Sequence, residues 1–194
     1  MKTTIQAIYV ACGKQYPTDA DTLKAIDFIS ELIDENHSLD EPEEFDFEDF
    51  EEKTDGWDDE TYSDYCFDYQ ERKEEALQEY REENESNYSE LFDAIETLAD
   101  KLESDDDDFC FEYDGNEYRI IKDSEIWNIY VEEIKNLVND CYDLKLDNIP
   151  DFIAFSIDWE ETAKNAYADG YGHTFSGYDG SELNIGDYYV FRTN

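Results

Sequence analysis

The sequence predicts an α+β fold: elongated, built of small subdomains that combine amphipathic helices with short β-hairpins, under a strongly acidic surface. Three observations lead there. The 194 residues carry 55 Asp and Glu against 14 Lys and Arg, a formal charge of −41. Acidity on this scale usually marks a disordered chain, yet 40% of the residues are hydrophobic and 16% aromatic. Disordered acidic tails lack the apolar surface needed to offset chain entropy, and this chain does not. Apolar residues also recur with helical period in several segments, and Asp114-Gly115-Asn116 stands between two short β-type runs, a strong hairpin signal.

Charge divides the chain into three regions. Residues 1–39, an N-terminal strand–helix segment, carry 6 acidic and 3 basic groups. Residues 40–108, an acidic helical region, carry 31 and 5, and residues 109–194, a C-terminal α+β region, carry 18 and 6.

From the N-terminus, Thr3–Ala11 (TTIQAIYVA) is β-branched and apolar and reads as a strand, with Gly13 and Pro17 marking a turn. Thr18 with Asp21 forms a capping box for a helix over about 19–35, where Leu23, Ile26, Ile29 and Ile33 recur at helical spacing. Asp40 to Glu60 packs 13 carboxylates into 21 residues, interrupted by Phe45, Phe47, Phe50 and Trp57, a loop or short helix pinned to a core by its aromatics. Trp57 and Tyr62 read as core packing before rim contacts.

Two acidic helices follow. The first covers about 64–83, with Cys66, Tyr69, Ala76, Leu77 and Tyr80 on one face. The second covers about 88–103, with Leu91, Phe92, Ile95, Leu98, Ala99 and Leu102 inward. Phe109–Tyr113 and Glu117–Ile121 are the hairpin strands. A helix over about 124–141 turns Trp127, Tyr130, Val131, Ile134, Val138 and Cys141 inward, and Pro150 restarts the chain. Asp158 with Glu161 caps a short helix to about Asp169. Residues 171–192 then read as a glycine-punctuated hairpin ending in Tyr188-Tyr189-Val190-Phe191.

The chemistry of the sequence lies in its carboxylates. Asp68, Glu71, Glu75, Glu79 and Glu82 step by three or four residues and share one helical stripe; Asp93, Glu96, Asp100 and Glu103 form a second. Like charges at this spacing cost about 0.2–0.5 kcal/mol per step, so the seven steps weaken their helices by about 1–3 kcal/mol before screening. An ordinary solvated face would interleave Lys, but between 64 and 103 the only bases are Arg72, Lys73, Arg81 and Lys101. A halophile's surface fits poorly with 15 Ile and an untrimmed core, and solubility alone needs a net charge of only about 2–8. The pattern predicts a face built to be negative and presented to a protein. The candidate partner-binding residues are Asp55, Asp58, Asp59, Glu60, Asp64, Asp68, Glu71, Glu75, Glu79, Glu82, Asp93, Glu96, Asp100, Glu103, Asp105, Asp106, Asp107 and Asp108.

Other classes fare worse. Calcium loops need acidic residues at fixed offsets around a glycine, and around Gly56 those positions hold Glu51, Lys53, Asp55 and Tyr62. With two histidines, His37 and His173, and no nucleophile elbow, P-loop or zinc-ligand spacing, no enzyme, catalytic residue, metal or cofactor is expected. His173 reads as a hairpin residue. Direct binding to nucleic acid or to an anionic membrane is disfavoured, because both are polyanions. The N-terminus is too polar for a signal peptide and no apolar run approaches the roughly 18 residues of a membrane span, so cytoplasm is expected. Cys12, Cys66, Cys110 and Cys141, widely spread, read as reduced and mostly core.

Over the last 40 residues, Asp158, Trp159, Glu160 and Ala163, followed by the hairpin and its aromatic strand to Arg192, resemble the C-terminus of ArdA-type antirestriction proteins. Those share Asp-aromatic-Glu, a short gap, Ala, a basic-acidic pair and an aromatic-rich final strand; here Lys164-Asn165 replaces the pair. The stretch from Asp169 through Gly186-Asp-Tyr-Tyr-Val-Phe-Arg is also similar to small phage proteins. The resemblance implies an elongated acidic DNA mimic from a phage or mobile element, often a homodimer, acting in a bacterial cytoplasm. It would inhibit a DNA-binding host protein or nuclease complex, of restriction or CRISPR type. Beside it stands an acidic chaperone or regulator of a basic host protein that is not a nuclease.

Overall fold

The computed structural model describes residues 2–36, 39–45, 59–104, 106–141 and 157–194. It is mixed helix and sheet, 60% helical with one four-stranded antiparallel sheet, and so α+β. The chain divides into two compact units, Met1–Asp100 and Lys101–Asn194.

Among the described residues the regular elements of the first unit are all helices, and it opens against expectation. Lys2–Ala11 is helix α1, not a strand. Ile5, Ile8, Tyr9 and Cys12 are buried while Gln6, Ala7 and Val10 are exposed. That is an i, i+3, i+4, i+7 stripe, and burying it outweighs the strand propensity of β-branched residues. Gly13, at φ 65°, ends the helix, its N–H donating to Val10 O (2.9 Å) and the Lys14 N–H to Tyr9 O (2.8 Å). Helix α2, Ala20–Asn36, buries Ala25, Ile26, Phe28, Ile29, Leu32 and Ile33. Its cap is Asp19 rather than Thr18: the Thr22 N–H donates to Asp19 Oδ1 at 2.8 Å. Hydrogen bonds from Thr22 hold the Asp19 carboxyl below its ordinary range.

Residues 39–45 have no regular structure but are tied down. The hydroxyls of Tyr88 and Tyr80 donate to the carbonyls of Asp40 and Glu43, and Phe45 meets Tyr80 edge-on at 5.3 Å. Phe45 is thus pinned as expected, whereas Phe47, Phe50 and Trp57 lie outside the described residues. Helix α3 runs from Asp59 to Asn87, one turn or more longer at each end than its apolar pattern predicts. After a one-residue break at Tyr88, helix α4, Ser89–Glu103, buries Leu91, Ala94, Ile95, Leu98 and Leu102. Phe92 of α4 packs edge-on against Tyr9 of α1 at 5.0 Å.

The second unit contains the sheet. Strands β1 (Asp108–Tyr113) and β2 (Asn116–Lys122) form the expected hairpin, closed by Asp114 and Gly115, both at positive φ. Helix α5, Ile126–Cys141, follows, and after residue 157 comes α6, Trp159–Ala166, capped as expected by Asp158, which accepts from the Glu161 N–H at 3.0 Å. The expected restart at Pro150 lies outside the described residues. Residues 171–192 are only partly hairpin. Gly172–Phe175 forms a single helical turn, α7, which places His173 on a helix; the strands are confined to β3, Leu183–Ile185, and β4, Tyr188–Arg192. The sheet order is β1-β2-β4-β3.

One face of the sheet presents Ile121 and Phe191 to a core of Ile126, Tyr130, Ile134, Ala163, Tyr171 and Phe175. Phe109 and Phe111 are buried on the sheet's other face, with Ile120 and Tyr118, and alternation along β1 leaves Cys110 exposed, so the expectation of mostly core cysteines fails there. Cys12 is buried, Cys66 is half-buried, and the side chain of Cys141 lies outside the described residues.

The turn before α7 is set by a close approach. A Cβ on Gly172 would lie 2.1 Å from the Gly180 carbonyl oxygen, and Glu182 Oε2 accepts from the Tyr171 and Gly172 N–H groups at 3.0 and 3.1 Å. Gly172→Ala has to displace backbone and should shift the urea midpoint down more than Gly115→Ala, where a Cβ meets nothing within 4 Å. Burial and the neighbouring Tyr167 and Tyr189 push the Tyr171 hydroxyl up to about 12. A proton held more tightly in the folded state stabilises below the ordinary tyrosine range, and that contribution is lost as pH rises from about 10 to 12. The difference in phenolate absorbance between the wild type and Tyr171→Phe should therefore rise near pH 12 rather than near 10.

Candidate acidic interface

Helix α3 carries the densest array. Asp68, Glu71, Glu75, Glu79 and Glu82 are all exposed, and 14 residues of helix set them over about 21 Å. Two are engaged locally: Asp68 Oδ2 pairs with Arg72 Nε at 3.2 Å, and Glu82 Oε1 accepts from Gln78 Nε2 at 2.8 Å. Among the described residues no ion pair reaches Glu71, Glu75 or Glu79. The opposite side of α3 is only half-buried at Tyr65, Cys66, Tyr69, Ala76, Leu77 and Tyr80.

The helix is held at specific points in its C-terminal half. Lys14 Nζ pairs with Glu85 at 2.6 Å and lies 4.9 Å from the Phe92 ring centre, so one cation ties the turn after α1 to α3 and α4. Asn84, buried, donates to Tyr80 O at 2.8 Å. On α4, Asp93, Glu96, Asp100 and Glu103 are exposed along the side opposite Leu91, Ile95, Leu98 and Leu102.

The remaining candidates divide. Asp59, Glu60 and Asp64 fall on the backbone of the first two turns of α3, while Asp55, Asp58 and Asp105 lie outside the described residues. Asp106, Asp107 and Asp108 belong to the second unit, where two of them serve the fold. Asp108 accepts from Arg119 Nη2 and Nε at 2.7 and 3.0 Å, and Asp107 lies 3.5 Å from Lys122 Nζ. Arg119 also donates to Glu133 at 3.1 Å and covers the Phe175 ring. Nothing in the sequence run Asp105–Asp108 marks which carboxylates are paired; the strand register, which pairs Asp108 with Ile121 and Cys110 with Arg119, puts Asp108 diagonally across from Arg119.

The chain matches no protein-family model, no curated protein and no solved structure. Its chemistry has to be read from its own side chains. Among the described residues no group of three His, Cys, Asp or Glu side chains could hold a metal ion, and no helix is long and apolar enough to cross a membrane. His173 is exposed on α7.

One feature of the first unit has no counterpart in the sequence reading. An open groove of about 760 Å³ runs between α1 and α3, floored by Ala7, Val10 and Leu77 and flanked by Glu43, Glu44 and Phe45. Reading α1 as a strand hid it, because the groove is made by the exposed side of that helix.

Seven like-charge steps on two helices make stability depend on ionic strength. Moderate salt should raise the melting temperature. At low salt, Glu71→Gln, Glu75→Gln and Glu79→Gln combined remove all four steps on α3 and should stabilise by about 1 kcal/mol in urea unfolding, the gain shrinking as salt is added.

Proposed function

We propose that this protein is a DNA mimic, an inhibitor from a phage or mobile element that occupies the DNA-binding groove of a host defence nuclease of restriction or CRISPR type. The supporting observation is the exposed, largely unneutralised row of carboxylates on the single helix α3, accompanied by a second row on α4. Duplex DNA carries about one charge per 1.7 Å counting both strands, and a protein that reads phosphates gains by releasing their counterions. One stripe offers a carboxylate about every 5 Å; two stripes and the further acidic residues between 40 and 64 approach the density of a duplex. Carboxylates fixed on a helix offer a phosphate-reading groove the same counterion release without the ordering cost that a flexible tail brings. In this reading the surface is elongated, the protein is not an enzyme, it works in the bacterial cytoplasm without cofactor or direct nucleic-acid contact, and it can act as a homodimer.

A second reading, an acidic binding protein or chaperone for a basic host protein that is not a nuclease, draws support from the groove between α1 and α3. A duplex offers no such apolar cleft to a nuclease.

Affinity capture from a bacterial lysate at low and high salt, with competition by duplex DNA, separates the two. Mimicry requires a DNA-binding complex that is captured at low salt, released at high salt and displaced by duplex. The triple Glu71, Glu75 and Glu79 to Gln variant should retain less of it and show a shallower salt dependence. Capture indifferent to both salt and DNA would sink the mimicry reading, while salt-sensitive capture of a basic protein that DNA does not displace would support the second.

A further inference from the structure

We propose that the groove between α1 and α3 receives a basic amphipathic helix from a protein partner, apolar side inward. The proposal goes beyond the mimicry reading and does not depend on it, since it concerns an apolar site rather than the carboxylate rows.

Helix α1 already buries one full stripe, Ile5, Ile8, Tyr9 and Cys12, in its own unit. Its other side leaves Val10 70% exposed, and Val10 shares the groove with Ala7, Leu77 and Phe45. An exposed valine alone means nothing; one at the floor of a concave, largely apolar cleft marks a place where a partner can exclude water. The cleft is bounded by two helices and the irregular residues 42–45, and no strand lies among the described residues of this unit, so it offers no sheet edge for an extended peptide to join. Helix-in-groove docking, with anchors at i, i+3 or i+4 and i+7, is the mode that such a boundary supports.

The rim fixes the sign of the partner. Glu43 and Glu44 line one side. The groove's one cation, among the described residues, is Arg81, and its side chain is drawn down over Gly13, with Cδ and Nε 2.9 Å from where a Cβ would stand. A helix flanking its apolar row with Lys or Arg meets opposite charge on entering, whereas an acidic amphipathic helix is repelled.

The test uses the full chain and two synthetic helical peptides of equal positive charge. One carries leucines at i, i+3 and i+7 between lysines; in the other those leucines are serines. Val10→Glu is the probing variant: it adds negative charge, so a purely electrostatic peptide binds it at least as well as the wild type. The leucine peptide should bind the wild type and lose about tenfold or more in affinity on Val10→Glu, with circular dichroism and melting temperature unchanged. The serine peptide should bind weakly, with strong salt dependence and no loss on Val10→Glu. Equal binding of both peptides, or indifference of the leucine peptide to Val10→Glu, overturns the proposal. So does sedimentation in which Val10→Glu dissolves a self-associated species that the leucine peptide does not displace, because the groove would then be a contact between copies of this chain. The triple Gln variant of α3 keeps the readouts apart: it should reduce DNA-sensitive capture and leave the difference between the two peptides on Val10→Glu intact.

Discussion

Repulsion between carboxylates one helical turn apart is the force against which the first unit folds, and α3 meets it with little apolar surface of its own. Its inward apolar and aromatic residues are half-buried rather than buried, and Phe67 is 73% exposed. The helix is secured through a few contacts near its C-terminal half: the Lys14–Glu85 pair, Arg81 laid across Gly13, and the Tyr80 hydroxyl on the 39–45 segment. The first two depend on the turn at Gly13, which directs Lys14 back toward α3 and leaves room for Arg81. A weakly amphipathic, strongly acidic helix thus keeps its place because α1 and its terminating glycine are held by a fully buried stripe.

The second unit handles charge in the opposite way. Arg119 gathers Asp108 and Glu133 beside the Phe175 ring, and Glu182 reaches back to accept from two backbone N–H groups. Here carboxylates close hydrogen-bonding needs that the fold itself creates. Net charge says little about which use a given Asp or Glu has. In one unit the α3 row faces solvent; in the other several carboxylates are structural partners of the sheet and its turns.

What could be read from the sequence follows from how local the signal is. The α4 stripe, the Asp114-Gly115 hairpin and the Asp158 cap were legible because each is specified within a few residues and nothing distant contradicts it. Lys2–Ala11 was misread because its β-branched residues and its helical spacing pull in different directions, and burial against the other helices decides. The shift of the α2 cap from Thr18 to Asp19 is a one-residue competition between two good capping side chains. The α7 turn was invisible, since it rests on Glu182 reaching back to residues 171 and 172. Of the candidate interface, the exposed rows on α3 and α4 were legible from period alone. The pairing of Asp107 and Asp108 was not, as it depends on strand register, and the apolar groove was lost with the misreading of α1.

The Gly172–Gly180 approach also sets a rule for chain length. With a backbone carbonyl standing where a side chain would begin, and Glu182 bound to the preceding turn, the segment between them has no slack: an inserted or deleted residue must break one of the two contacts. The tip at Gly115 is the reverse case, an open turn where a Cβ would meet nothing within 4 Å, although its carbonyl accepts from Asn194 Nδ2 at 3.2 Å. An affinity handle or fluorophore grafted into this chain belongs at that tip, where added length is absorbed by solvent and the carboxylate rows keep their spacing.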